Sequence, residues 1–72
     1  MDNLQATNML IDVMQSRSTE LEIRIGAAEG LGYTGFVIAR DALYGVLTSA
    51  AYPAALRASA AKALGRTLGA CE

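Results

Sequence analysis

The stretch Arg24-Ile25-Gly26-Ala27-Ala28-Glu29-Gly30-Leu31-Gly32-Tyr33-Thr34 returns, 33 residues on, as Arg57-Ala58-Ser59-Ala60-Ala61-Lys62-Ala63-Leu64-Gly65-Arg66-Thr67. Six of the eleven positions are identical: an arginine, two alanines, a leucine, a glycine and a threonine. The same offset sets Ala6 on Ala39, Leu10 on Leu43, Val13 on Val46, Ser16 on Ser49 and Met14 on Leu47. Two unrelated alanine-rich helices would match in alanine and little else. Matching arginine, glycine and threonine as well points to an internal repeat, and a period of this length is that of a paired-helix unit. The expectation is therefore one all-α domain over residues 1–72, an α-solenoid (α-α superhelix) of two helix-turn-helix units. The first unit covers about 2–34 and the second about 35–69.

Each unit reads as two helices. Asp2 with Gln5 resembles a capping box, an acceptor at the helix start answered three residues on. Behind it Ala6, Met9, Leu10, Val13 and Met14 recur at helical spacing as one apolar stripe, with an end near Gln15. Thr19 with Glu22 predicts a second capping box. Its helix should run to Leu31 and close at Gly32 in the left-handed conformation. In the second unit Phe36, Ala39, Ala42, Leu43, Val46 and Leu47 form the stripe of the third helix. Pro53 suits the first position of the fourth helix, which should stop near Leu64, with Gly65 repeating the part of Gly32. No run alternates strictly, so strands are not expected.

The second helix of each unit is rich in small residues. Glycine within a helix costs roughly 1 kcal/mol relative to alanine, so Gly26 and Gly30 in one helix need an offset. Close approach of neighbouring helices supplies one. Ile23, Ala27 and Leu31 are expected to point inward in the first unit, and Leu56, Ala60 and Leu64 in the second.

The pattern Ile23-Arg24, Ala27-Ala28, Leu31-Gly32, echoed by Leu56-Arg57, Ala60-Ala61, Leu64-Gly65, resembles the second helix of a HEAT repeat, closest to the short bacterial PBS-lyase HEAT-like kind. The resemblance covers nearly the whole chain. It implies second helices lining a concave surface that commonly binds proteins. Where that family often has aspartates, before the second helix and after its glycine, this chain has Thr19 or Glu20 and Tyr33-Thr34. The resemblance also implies an alternative role, an accessory subunit of an enzyme such as a phycobilin lyase.

Composition narrows the chemistry. The 72 residues carry six basic and seven acidic side chains, a net charge of −1, and no histidine. No strong field gathers nucleic acid or acidic membrane, and the usual general base and metal ligand are missing. The one cysteine, Cys71, cannot build an internal disulfide framework and has no histidine to activate it. No run is long and apolar enough for a membrane span, and residues 1–15 do not read as a secretory signal. A cytoplasmic, non-catalytic protein without cofactor or metal is the expectation.

Three patterns resemble sites. Gly30-Leu31-Gly32-Tyr33-Thr34-Gly35 matches G-x-G-x-x-G, yet a helix precedes it where a dinucleotide site needs a strand, so it reads as a helix ending. Glu20, Glu22 and Glu29 read as solvated helix face rather than an ion site. Arg57, Lys62 and Arg66 make a weak phosphate footprint, leaving a small helical nucleic-acid binder as a third alternative.

The sharper expectation concerns one face. Glu22, Glu29 and Tyr33 lie opposite Ile23, Ala27 and Leu31, and the same face of the fourth helix carries Ser59, Lys62 and Arg66. Stacked units would set Glu29 beside Lys62 as an ion pair and Tyr33 beside Arg66 as a cation–π contact. Those six residues are the candidate partner-binding face, with another protein chain as partner. The alternative is that they only keep the face wet and align the units. Hydrophobic residues are 53% of the chain, and two units leave both ends apolar. Leu4, Ile11, Val37 and Tyr44, off the main stripes, are candidates for cover by another chain. A homodimer joining the ends, docking on a larger protein, and excision from a longer array all satisfy them, the homodimer being favoured.

Overall fold

Asp2 starts the first helix as its pairing with Gln5 predicts. Its carboxylate accepts from the Gln5 amide at 2.7 Å, and the Gln5 side chain accepts from the Asp2 amide at 3.0 Å. Two of the four amides that a helix start leaves without partners are thereby satisfied. The computed structural model describes residues 1–70, with side chains through 68. Cys71 and the end of the second unit at residue 69 lie outside the described side chains. The described residues form an all-α domain of four helices, α1 (Asn3–Gln15), α2 (Leu21–Leu31), α3 (Val37–Leu47) and α4 (Ala54–Ala70), with no strand among them. No helix among them is long and apolar enough to cross a membrane.

The helices pack in pairs. α1 lies on α2 and α3 on α4, and α2 lies against α4 almost as extensively. α1 and α3 meet far less, and α1 does not reach α4. Side-chain size gives the reason. Ala28, Gly32, Ala60 and Ala63 are buried in α2 and α4 or at their ends, and small residues let helix axes approach. Met14, Leu31, Leu43, Val46 and Leu56 are the largest fully buried side chains. Each contributes roughly 1.5–3 kcal/mol of transfer free energy.

Several expectations need correction. Met9 and Ile23 do not point inward: both are about half exposed. Of the expected inner line of α2, Ala27 and Leu31 are buried, and Arg24 and Ala28 complete the inner face in place of Ile23. Leu64 is only partly buried, and Ala63 is the fully covered neighbour. Phe36 is the residue before α3 and is partly exposed rather than core. Thr19 makes no capping box. α2 begins one residue later than that frame requires, with Glu20 as an N-cap that lacks a side-chain bond. The Thr19 hydroxyl bonds Ser16 in the turn instead, at 3.0 Å. Pro53 stands just before α4 and accepts from the Arg57 amide at 3.0 Å.

Neither Gly32 nor Gly65 closes a helix in the left-handed form. Gly32 has φ −64° and ψ −16°, and no described glycine has positive φ. α4 runs straight through Gly65, and the buried Thr67 donates to the Leu64 carbonyl at 2.6 Å. What Gly32 supplies is room. A Cβ there would sit 3.0 Å from the Ala63 Cα and 3.1 Å from its Cβ. At Gly65 a Cβ would meet nothing within 4 Å.

The same substitution at the two glycines should therefore have opposite signs. Gly32→Ala drives a methyl group into the α4 backbone, an overpacking loss of about 1–3 kcal/mol. Gly65→Ala adds helix propensity in open space, a gain of about 0.5–1 kcal/mol. Urea midpoints of the two variants should fall on opposite sides of the parent. Two shifts of the same sign would refute the close approach at Gly32.

Candidate functional site

The exposed face of α2 and α4 is built by what their other faces bury. Arg24, Ala27, Ala28 and Leu31 turn inward, so Glu22 and Glu29, on the far side of the same helix, stay in water. Tyr33, two residues past the α2 end, is 76% exposed. On α4, Lys62 and Arg66 are exposed, and Ser59 is partly so.

Of the expected cross-helix pairs one forms. The Arg66 guanidinium lies 4.5 Å from the Tyr33 ring centroid, within cation–π range and worth about 0.5–1 kcal/mol at an exposed site. Glu29 and Lys62 form no ion pair. Among the described residues the one such contact is Arg40 with Asp41, at 3.9 Å. The reason is energetic: an exposed pair gains about 0–1 kcal/mol and loses side-chain freedom, so two long solvated side chains have little cause to meet. Ser59 turns its hydroxyl back to the Ala55 carbonyl at 3.2 Å. The face thus has an acidic side on α2 at Glu22 and Glu29, a basic side on α4 at Lys62, and the Tyr33–Arg66 stack joining the two.

The glycine-rich segment ends α2 and enters α3. Gly30 and Gly32 sit where α2 exposes carbonyls, the negative end of its dipole, which disfavours phosphate. Among the described residues no group of three or more His, Cys, Asp or Glu side chains could hold a metal ion. A depression of about 180 Å³ lies between α1 and the α2–α3 connection, lined by Asn3, Ala6, Thr7, Leu10, Thr34 and Phe36. None of those side chains can trade a proton near neutral pH.

The residue whose role the repeat did not disclose is Arg24. It is 6% exposed, and its Nε donates to the Met14 carbonyl at 3.0 Å. Arg57 does the same to the Leu47 carbonyl at 3.1 Å. Both acceptors lie in the last turn of the preceding helix, where carbonyls lack helical partners and a positive charge is favoured. The Arg24 guanidinium also stands 5.7 Å from the Tyr52 ring centroid, across to the α3–α4 turn. The available signal was an arginine kept at the same place in both copies, among small apolar neighbours.

With this geometry in hand, comparison with known protein families, curated proteins and solved structures finds no match to the chain. Its own two halves are therefore the best comparison it offers. Arg24 and Arg57 make the same bond to carbonyls ten residues back. Thr34 and Thr67 each donate to the carbonyl three residues back, Leu31 and Leu64.

Proposed function

We propose that the chain is a non-catalytic protein-interaction or scaffold module: two helix-turn-helix units of an α-solenoid, similar to HEAT repeats, over about 2–34 and 35–69. The observation that carries the reading is the arginine bond. A buried or half-buried arginine tying the second helix of each pair to the last turn of the first recurs at the 33-residue offset. That is what equivalent units stacked side by side should have in common. The tight α2–α4 contact and the splayed α1–α3 contact support a curved stack with α2 and α4 on the inner side.

The inner side carries Glu22, Glu29, Tyr33, Ser59, Lys62 and Arg66. A partner segment complementary to it presents a cation toward Glu22 and Glu29 and a carboxylate toward Lys62, with a flat apolar or aromatic group on Tyr33. Such charge arrangement governs register and association rate more than affinity. The test is capture of partners from native lysate by the parent chain, by a Lys62→Glu, Arg66→Glu variant, and by an Arg17→Glu control away from the face. A partner held by the parent and the control should drop at least tenfold on the double variant. Undiminished capture by the double variant would remove this face from the proposal.

A further inference from the structure

We infer that the two ends of the molecule are the halves of one interface, and that a second copy of this chain docks on it head to tail. This rests on the repeat reading above. Residues 33 positions apart differ in exposure, and the difference has a direction. Leu56 is fully buried, while its counterpart Ile23 is 53% exposed. Ala63 is fully buried, while Gly30 is only partly so. On the opposite flank the order reverses. Ala28 and Gly32 are buried, while Ala61 and Gly65 are exposed.

The first helices follow the same rule. Leu43 and Val46 are buried where Leu10 and Val13 are half covered, whereas Met14 is buried where Leu47 is half covered. In each pair the second unit buries the flank that faces the first, and the first buries the flank that faces the second. Two flanks have no neighbour among the described residues. One, on the first unit, presents Met9, Ile23 and Gly30. The other, on the second, presents Tyr44, Ala61 and Gly65.

The occupant of each open flank is defined by what already covers its counterpart. The surface at Ala28 and Gly32 is covered by α4, which packs against α2. The surface at Ala61 and Gly65 is its counterpart, so it fits the matching flank of the first unit, at Ile23 and Gly30 of a second copy. Gly65 would then meet Gly30 of the second copy where Gly32 meets Ala63 within the chain, with even less bulk at the crossing.

Charge agrees with this order. α2 and its cap carry Glu20, Glu22 and Glu29, whereas α4 carries Arg57, Lys62 and Arg66 and no acidic residue. Lys62 would come beside Glu29 of the second copy, and Arg66 beside its Tyr33. A two-fold arrangement of the leading ends would instead bring the acidic α2 against a second acidic α2. Arg40, where the first unit has the buried Thr7, must turn outward with Asp41, which keeps the association weak and dependent on concentration. A head-to-tail contact of this kind extends past two chains, into a ring or an open filament.

The test uses two variants that each disable one end at an exposed position. Ile23→Glu spoils the leading flank, and Gly65→Glu the trailing one, where a side chain meets open space. By sedimentation from micromolar to millimolar concentration, the parent chain should rise past twice its single-chain mass. Each variant alone should stay at the single-chain mass with an unchanged helical spectrum. An equimolar mixture should form a two-chain species and nothing larger, since it holds one sound flank of each kind.

A parent chain that stays single at millimolar concentration overturns the proposal. So does a variant that still forms dimers alone, which would mean like ends pair. If the parent stays single but the Lys62, Arg66 face still selects its partner, stacking fails alone. If Gly65→Glu unfolds the chain, Gly65 is not on an open flank, and the repeat reading fails with it.

Discussion

Leu56→Ala is expected to lower the unfolding free energy by about 3 kcal/mol, within the range of about 2–5 for emptying a buried leucine site. Ile23→Ala, 33 residues earlier, should lower it by less than about 1 kcal/mol. The two residues hold the same place in the internal alignment, and both are branched aliphatics. Side-chain chemistry and helix propensity predict nearly equal losses. Burial predicts very different ones, because Leu56 is fully covered and Ile23 half exposed. A chain of this length has a total stability of only about 4–11 kcal/mol. Leu56→Ala should therefore bring the urea midpoint down by a large fraction, with little change in slope if the cooperative unit is still the whole domain. Comparable midpoints for the two variants would mean the first unit hides Ile23 against something else, and the asymmetry of the ends would be lost.

The same pair shows where sequence reading stopped. Periodicity found all four helices, because apolar spacing and the Asp2 cap depend on neighbours three or four residues away. The first two ended where expected, at Gln15 and Leu31. On α2 it placed Ala27 and Leu31 inward correctly but took Ile23 for core and overlooked Arg24. A helix so rich in alanine and glycine has little contrast between its faces, and a hydrophobic count favours isoleucine over arginine whatever surrounds them. Ile23 is exposed because none of the described helices covers its flank, a matter of distant packing that no local pattern encodes.

The glycines misled for a related reason. Gly32 reads locally as a helix stop, yet its requirement comes from Ala63, across the α2–α4 contact. Gly65 matches it in sequence without facing such a neighbour, so α4 continues. On the candidate face, the Tyr33–Arg66 contact was legible because equivalent positions in stacked units become neighbours. The Glu29–Lys62 ion pair, expected on the same ground, does not form, because adjacency alone does not offset the hydration of two exposed charges.

Arg24→Ala should cost about 2–4 kcal/mol, and Arg57→Ala about 1 kcal/mol. Three losses combine at Arg24. The Met14 carbonyl, in the last turn of α1, loses a charged donor 3.0 Å away. A buried acceptor left without a partner costs about 1–3 kcal/mol. The aliphatic stem, which an arginine buries while its head makes polar contacts, leaves a void between α1 and α2. The contact with Tyr52 at 5.7 Å, which links the first helix pair to the turn of the second, also goes.

Arg57 has the equivalent carbonyl bond, but in a half-buried setting where water can replace the donor. Arg24→Met separates the contributions, since it restores most of the stem and none of the donor. It should recover about half of the alanine loss. Chemical unfolding of the three variants, repeated at high salt, checks the ranking. The Arg24 losses should persist because a buried charge is screened little. Equal losses at the two arginines, or an Arg24→Ala loss below about 1 kcal/mol, would mean this bond does not hold the helix pairs together, and the structural basis for treating them as one repeated unit would fall.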